Sequence, residues 1–442
     1  MPIVSVHEEL ERSDSMFEFA TRLGRSCLDE ASRLTDLLGD PEVHRDFVDL
    51  EATVAALGAE PDFRSVLDGS AGVRASLMES LHPVDHLAVL RGLCTHALPH
   101  FFERIGGQVP LDRGAPVPLV SRPINAAFAT TPHHPTLRRL DLMYPLAFAL
   151  FEPPHVNAEV VLDYTVRDRL DALTWSDRKQ LPRVATLHPV LTSERLTIGE
   201  IGEDTFFGVT PSAWDLEALL AQLHSVRDVE IAVLPELCLP TAGALDDALS
   251  AEPARYPPVV VSGSAHVVEG GTRANESRVY LDGRHVATHR KIVPYATKTL
   301  DGRTFAQPVA EAITGERKRV TVLSGTHTRL AVVICADLNS LTIPGLLEQA
   351  GVNLLLVPAL TPSAGAFNGA LCQLASHCQA VSVVVNAELA HDDDGDTPFL
   401  VMAAVPRPTQ QSRVYPDALG QRGSVGVVDP NQPLDRALTW RS

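Results

Sequence analysis

The sequence is short of positive charge. Its 442 residues include 37 Lys and Arg against 55 Asp and Glu, a formal net charge of −18, and no local basic stripe offsets this excess. A surface of this charge repels phosphate backbones, which disfavours nucleic-acid binding as the main role. We therefore expect no nucleic-acid partner.

Long apolar runs are also missing. The longest, Leu142 to Phe151 and Val352 to Leu360, are much shorter than the roughly 20 residues that a membrane-spanning helix needs. The N-terminus carries acidic residues where a secretory signal has a basic stretch followed by an apolar run. These features predict a cytoplasmic protein without a membrane partner.

Metal-binding and disulfide patterns are absent as well. The six cysteines form no CxxC pair and show no regular spacing, which disfavours a disulfide framework and a structural zinc site. His133-His134 lies in a loop without Cys or acidic partners at ligand spacing and is typical of polar surface. The acidic run from His391 to Asp396 lacks EF-hand spacing. It predicts a solvated loop, with a cationic substrate or a weakly held cation as the alternative, and we expect no metal or organic cofactor.

Residues 1–180 are predicted to form a mainly helical accessory region. Apolar residues spaced three and four apart after Asp14 predict a helix that Gly39 ends. Asp40-Pro41 is typical of an N-cap followed by the first residue of a second helix, and a third begins at Pro83. Prolines are dense from Gly106 to Pro154, which indicates either an ordered irregular segment or a linker, although one more helix is predicted over Leu137 to Phe151.

Residues 181–442 are predicted to form an α/β domain, because strand-like runs alternate with helical patterns from about Leu181 onward. Asp282-Gly283 lies between two strand-like runs and predicts a tight hairpin. The predicted helices are 213–224, 343–349 and 369–378. The predicted strands are 231–234, 259–267, 278–281, 285–288, 320–323, 330–334, 352–357 and 381–385.

Three predicted strands each end in a reactive side chain. Glu236 follows the run Ile231 to Leu234, Lys291 follows the second hairpin strand, and Cys335 follows the run Leu330 to Ile334. In sheets covered on both faces, functional groups gather at the carboxyl ends of strands. This placement predicts a single site made from the three side chains.

The sequence here resembles the nitrilase, or carbon–nitrogen hydrolase, superfamily over roughly residues 184 to 430. The resemblance depends on five motifs in the order of that family: PEL at 235–237, HRKIVPY at 289–295, ICADL at 334–338, GVNLLLVPAL at 351–360 and VVVN ending at Asn386. It implies a four-layer α-β-β-α sandwich. The family tends to dimerise, which implies a homo-oligomer, and the helical front lies outside the resemblance.

These residue types suit the cleavage of a C–N bond. The thiolate of Cys335 attacks an unreactive amide carbon far better than water does. Glu236, with a raised pKa, can take the thiol proton and return it to the departing amine. Lys291 and the amide N–H of Ala336 can stabilise the oxyanion that forms. Lys298 is the rival for Lys291, but it follows a turn-like segment and does not end a strand.

Two further acidic residues belong to the predicted site. The family commonly has an acidic residue two positions after the cysteine, and Asp337 is expected to shape the loop there. Many members place a second glutamate between the lysine and the cysteine, and Glu311 is the nearest candidate. Cys-Ala-Asp at 335–337 resembles amidases and carbamoylases more than true nitrilases. An amide is therefore favoured over a nitrile as the substrate.

The leading hypothesis is hydrolysis of a small amide through a thioester acyl-enzyme. One alternative keeps the acyl-enzyme but transfers the acyl group to an amine or alcohol. Another is a regulated effector, of the kind found in defence systems, whose residues 1–180 bind a protein partner. That long front is unusual for a plain amidase.

Overall fold

The computed structural model describes part of the chain, and two predicted loop features and one predicted helix fall mainly outside that part. These are the His133-His134 pair, the acidic run from His391 to Asp396 and the helix between Asp14 and Gly39. The described residues are 6–13, 19, 22–23, 26–27, 37, 40–56, 83–92, 107–113, 116–118, 148–151, 158–173, 181–189, 196–201, 205–211, 214–300, 303–314, 318–325, 328–361, 365–378, 380–387, 399–405, 413–414, 425–432 and 436–441.

Two helices begin at an aspartate that caps them. The helix predicted after Asp40 begins at Pro41, and the Asp40 carboxylate accepts a hydrogen bond of 2.9 Å from the N–H of Glu42. Asp215 caps a later helix in the same way, through the N–H of Ala218 at 2.9 Å. In chain order the α-helices of the described residues are α1 (Val6–Glu11), α2 (Pro41–Ala56), α3 (Pro83–Gly92), α4 (Arg167–Asp171), α5 (Leu216–Ser225), α6 (Asp246–Ala251), α7 (Ile343–Gln349) and α8 (Gly365–His377).

The strands of the described residues, in chain order, are β1 (Gln108–Pro110), β2 (Pro116–Pro118), β3 (Phe148–Leu150), β4 (Glu159–Asp163), β5 (Val184–Leu187), β6 (Leu196–Thr197), β7 (Glu200–Ile201), β8 (Thr205–Phe207), β9 (Thr210–Pro211), β10 (Ile231–Val233), β11 (Val259–Val261), β12 (Ala265–Glu269), β13 (Thr272–Leu281), β14 (Arg284–Arg290), β15 (Ala296–Leu300), β16 (Arg303–Glu311), β17 (Arg319–Ser324), β18 (Arg329–Val332), β19 (Leu354–Ala359), β20 (Val381–Asn386), β21 (Val401–Val405), β22 (Arg413–Val414), β23 (Val425–Val428) and β24 (Leu438–Arg441).

Two sheets contain most of these strands, which confirms the predicted mixed α/β class. The first has the order β1-β4-β17-β18-β19-β20-β21-β22, and β18, β19 and β20 run parallel. The second has the order β12-β13-β11-β10-β5-β23-β24, with β14 paired to β13 and with β11, β10 and β5 parallel. The parallel strands are fully buried apolar runs, as expected for strands covered on both faces.

The hairpin between β13 and β14 forms at the predicted dipeptide. Asp282 and Gly283 both have positive φ angles, 49° and 71°, and Leu281 pairs with Arg284. This conformation at both central residues matches the right-handed twist of the flanking strands. Because β14 runs antiparallel to β13, and β13 antiparallel to β11, the end of β14 lies at the same edge as the carboxyl ends of the parallel strands.

The N-terminal region contributes strands as well as helices. β4 pairs in parallel with β17 and antiparallel with β1, so the first sheet extends across residue 181. No strand was predicted in this part of the chain. The helix predicted over 137–151 is wrong at its C-terminal end, where β3 forms a strand paired with β2. The boundary predicted near residue 181 stays a prediction.

Apolar clusters pack on both faces of each large sheet. One cluster contains residues of both sheets, including Val233 and Val261 of one and Leu356 and Val383 of the other. A second joins the first sheet to α7 and α8 and also includes apolar residues of α1, α2 and α3. A third joins the second sheet to α5 and α6.

Candidate active site

The carboxyl ends of the parallel strands from the two sheets meet at one place. The N–H of Glu236, three residues past β10, donates to the carbonyl of Ala359 at the end of β19, at 3.3 Å. The N–H of Ala387, just past β20, donates to the same carbonyl at 2.9 Å. The bond from Glu236 joins the two sheets, and the bond from Ala387 continues the pairing of β20 with β19, at the edge where the sequence predicted the reactive side chains.

Glu236 is a buried carboxylate with two donors on one oxygen. Its Oε1 accepts from Lys291 Nζ at 2.7 Å and from Asn275 Nδ2 at 2.9 Å. Leu237, the next residue, has a φ of 54°, and its N–H donates to Ser264 Oγ at 3.0 Å. This left-handed turn directs the chain away immediately after the carboxylate.

Lys291 lies between two carboxylates. Its Nζ donates to Glu236 Oε1 at 2.7 Å and to Glu311 Oε2 at 2.6 Å, and its side chain is 1% exposed. The N–H of Lys291 donates to the carbonyl of Asn275, which extends the strand pairing to the end of β14. Lys298, the rival lysine, lies exposed on β15.

Glu311 reaches Lys291 at the end of a long hairpin. β15 and β16 pair antiparallel after Lys291, and β16 ends at Glu311. Its Oε2 accepts from Lys291 Nζ and from the N–H of Tyr295 at 3.1 Å. Its Oε1 accepts from Asn275 Nδ2 and from His266 Nε2, each at 2.8 Å. Four donors therefore hold this carboxylate.

Cys335 lies in a strained turn beside this cluster. It follows β18 and opens the 3-10 turn Cys335–Asp337, with a φ of 44° that non-glycine residues rarely adopt. Its thiol is buried beside the Glu236 carboxylate and lies 3.9 Å from the carbonyl oxygen of Leu360. Within the described residues, the N–H of Ala336 donates to no acceptor.

Asp337 joins the cysteine turn to the lysine strand. Its Oδ1 accepts from the N–H groups of Ile292 and Val293, at 2.8 and 2.7 Å. Its Oδ2 accepts from the N–H of Ile334 at 3.1 Å and from His289 Nε2 at 2.8 Å. Asp337 is fully buried and thereby fixes the segment after Lys291 against the turn that carries Cys335.

The surroundings shift the pKa values of the two glutamates in opposite directions. Burial, and then the charge of Glu311, raise the pKa of Glu236 against the lowering effect of the Lys291 charge. Burial also acts to raise the pKa of Glu311, but the Lys291 charge and the hydrogen bond from His266 hold it well below its usual range. Glu236 is therefore the carboxylate that can exchange a proton, and Glu311 is the fixed anion.

The other two ionisable groups are also shifted. Burial lowers the pKa of Lys291, but the charges of Glu236 and Glu311 outweigh it and leave the pKa well above its usual value. Burial and the Glu236 charge raise the pKa of the Cys335 thiol well above its usual value, although the Lys291 charge opposes them. The resting site thus holds an ammonium and a protonated thiol beside a carboxylate that can accept the thiol proton.

Asn386, the end of the VVVN motif, holds the segments that flank Cys335. Its Oδ1 accepts from the N–H of Thr361, and its Nδ2 donates to the carbonyls of Thr361 and Phe399. The carbonyl of Asn386 accepts from the ring of His188, which is buried. Asn386 therefore fixes the segment that follows β19, which passes the thiol at Leu360, to the segment that precedes β21.

Sequence reasoning did not find Asn275 and His266, which both contact the carboxylates. Each occupies an inward position of a strand in the second sheet, β13 and β12. The available signal for His266 was a polar residue inside the run predicted as a strand over 259–267, whereas Asn275 lay before the predicted strand 278–281. Among the other described cysteines, Cys238 lies two residues from Glu236, and burial raises its pKa. None of Cys27, Cys238, Cys372 and Cys378 forms a disulfide.

Among the described residues, no group of three or more His, Cys, Asp or Glu side chains is arranged to hold a metal ion. None of the helices described is both long and apolar enough to cross a bilayer.

Comparison with known proteins gives structural likeness only. No protein-family model matches the chain, and no curated protein matches it. Solved structures that match include the amidase NitN from Nesterenkonia sp. AN1, with 18% identity and a TM-score of 0.37 over 58% of this chain and 94% of that one. A glutamate-to-glutamine variant of that amidase, with an acetamide moiety covalently added at its active-site cysteine, matches with 17% identity and a TM-score of 0.37 over 57% and 90%. A cysteine-to-alanine variant, described as an amidase from the nitrilase superfamily, matches with 18% identity and a TM-score of 0.36 over 57% and 92%.

Proposed function

We propose that the protein is a thiol-dependent amidohydrolase that cleaves a non-peptide C–N bond of a small amide. The observation that carries the proposal is the division of roles between two carboxylates that share one buried ammonium. Glu311 is saturated with donors and stays charged, whereas Glu236 has a raised pKa and contacts the Cys335 thiol. A general base poised next to a nucleophile is what acyl transfer requires.

The first half-reaction follows from this geometry. Glu236 takes the proton of Cys335, and the thiolate attacks the amide carbon to form a C–S bond. The oxyanion of the tetrahedral intermediate is stabilised by the ammonium of Lys291 and by the N–H of Ala336. Protonated Glu236 then gives its proton to the nitrogen, the C–N bond breaks, and ammonia or an amine leaves a thioester on Cys335.

The second half-reaction regenerates the thiol. Glu236, again ionised, takes a proton from a water molecule whose oxygen attacks the thioester carbonyl. The second intermediate collapses with cleavage of the C–S bond, the acid departs, and Glu236 returns the proton to Cys335. Lys291 stays protonated in both half-reactions, because the negative charge of Glu311 balances that of the ammonium throughout.

The proposal extends to the architecture. Helices α7 and α8 cover one large sheet and α5 and α6 cover the other, with the two sheets facing each other through an apolar cluster. This packing supports the four-layer α-β-β-α sandwich implied by the sequence motifs. Residues 1–180 are proposed as an accessory region, and a cytoplasmic location stays a prediction.

The proposal is tested by intact-mass spectrometry of the full chain incubated with a library of small amides. We expect an acyl adduct on Cys335 and release of ammonia or an amine. Cys335→Ala should abolish both the adduct and turnover, and Cys372→Ala on α8 is the matched control that should retain them. Turnover that persists in Cys335→Ala would overturn the proposal, as would an adduct that maps to another cysteine.

A further inference from the structure

His266 connects the site to the small sheet formed by β7, β8, β15 and β16. The histidine lies on β12, and its side chain is 1% exposed. Its Nδ1 accepts a hydrogen bond of 3.0 Å from the N–H of Val209, and its Nε2 lies 2.8 Å from Glu311 Oε1. The ring stacks on Phe207 with a centroid distance of 4.4 Å and an interplanar angle of 13°.

These contacts determine where the proton of the imidazole ring lies. A backbone N–H can only donate, so Nδ1 must present its lone pair to Val209. The ring proton is therefore on Nε2, and His266 donates to Glu311. The stacked Phe207 ring prevents the imidazole from turning its nitrogens away from these two partners.

The donor from His266 completes the set around Glu311. The groups that face this carboxylate are the ammonium of Lys291 from the end of β14, the Asn275 amide from β13, the N–H of Tyr295 and the His266 ring from β12. Each oxygen accepts two hydrogen bonds, so protonating Glu311 would place its hydrogen against an existing donor. Glu236, in contrast, has two donors on one oxygen.

We propose that His266 is a positioning residue, whose Nε2–H keeps Glu311 as the permanent anion of Lys291 and so reserves proton transfer for Glu236. The effect of His266 on turnover rests on the proposed function. The structural part, a single imidazole tautomer that orients the Glu311 carboxylate, does not depend on any substrate. Val209 follows β8, the strand that ends at Phe207. The tautomer is therefore fixed only while β8 is packed against His266.

Two substitutions separate orientation from packing. His266→Leu fills the space but offers no donor, whereas His266→Gln keeps an N–H that can reach Glu311. His285, an exposed histidine on β14, provides the matched controls His285→Leu and His285→Gln. Only His266→Leu removes the hydrogen bond from a neutral donor to the charged Glu311 carboxylate. For this variant we expect kcat to fall about ten- to hundredfold with little change in KM.

The pH profile is the readout that a packing role would not move. In His266→Leu the two carboxylates should bind their first proton more readily, because Glu311 has lost a donor. The acidic limb of kcat/KM should therefore shift to higher pH, and His266→Gln should restore it. An unchanged acidic limb in His266→Leu, or equal shifts in the Leu and Gln variants, would overturn the inference.

Two measurements are independent of amide turnover. The rate at which iodoacetamide alkylates Cys335 reports thiolate formation, and its pH dependence should shift in His266→Leu and not in His285→Leu. Nitrogen NMR of the full-length wild type should show a protonated Nε2 and an unprotonated Nδ1 on His266. The opposite tautomer would overturn the inference. If wild type cleaves no amide while these results hold, the proposed function fails and the role of His266 stands.

Discussion

Asp337 is the residue whose substitution tests the architecture of the site most directly. In Asp337→Asn one oxygen becomes an NH2 group, which cannot accept from the two donors that it faces. If the amide oxygen stays on Ile292 and Val293, the new NH2 faces Ile334 and His289. His289 can adapt, because its Nδ1 has no partner among the described residues and can take the ring proton.

The cost of this change can be estimated. After the tautomer change only one bond is lost, that of the Ile334 N–H, and a bond to a charged acceptor contributes about 1.5–3 kcal/mol. We therefore expect Asp337→Asn to lower the free energy of unfolding by roughly 2 kcal/mol. Asp337→Ala leaves the N–H groups of Ile292, Val293 and Ile334 without acceptors, at about 1–3 kcal/mol each. That sum approaches the total stability of a typical domain, about 5–15 kcal/mol.

The assay is urea unfolding of the full chain, with hydrogen exchange at the amides of Ile292 and Val293 as the local probe. Asp228→Asn is the control, since Asp228 is exposed and its ion pair with Arg441 should contribute less than about 1 kcal/mol. A loss in Asp337→Asn no larger than in the control would refute the reasoning. A loss as large as that in Asp337→Ala would also refute it, because His289 would then not adapt.

Three further predictions concern the charged groups. Glu236→Gln should abolish turnover yet stabilise the protein at alkaline pH, because the raised folded-state pKa of Glu236 means that its ionised form destabilises the fold. The stability difference between the variant and wild type, measured by thermal melting, should shrink as pH falls. Glu311→Gln should move the acidic limb of kcat/KM to lower pH, since the Glu311 charge raises the pKa of Glu236, and an upward shift would contradict the assignment. Burial lowers the pKa of His188 to about 4. Its contribution to stability should be complete above the unfolded value of about 6.5 and be lost as pH falls towards 4, roughly 3 kcal/mol in total, and His188→Gln should flatten that part of the stability curve.

The local elements could be predicted from the sequence because their causes are local. Asp40-Pro41 supplies both the cap and the first residue of α2, and Asp282-Gly283 supplies the two positive φ angles of the hairpin. The parallel strands β10, β11, β18, β19 and β20 were visible as continuous apolar runs, whereas β5, which is also parallel, was not predicted. Placing Glu236, Lys291 and Cys335 at strand ends followed from the same runs, and the structure brings these three side chains to one edge.

The pairing of distant segments could not be predicted in this way. β4 joins the first sheet through β17, about 160 residues later in the chain, and its five residues carry no signal for that partner. Glu311 reaches Lys291 only because the β15–β16 hairpin folds back and β16 pairs with β8. The number of residues between Lys291 and Glu311 did not indicate that the chain folds back to the same place, since the length of a hairpin can vary while its two ends stay together.

The residue types alone determined that a thiol, an ammonium and carboxylates were available for chemistry. Only the tertiary structure decided which carboxylate can exchange a proton, because that depends on burial and on the number of donors around each oxygen. Burial raises the pKa of both glutamates, and at Glu311 alone the Lys291 charge and the hydrogen bond from His266 outweigh it, so two chemically identical side chains have opposite pKa shifts.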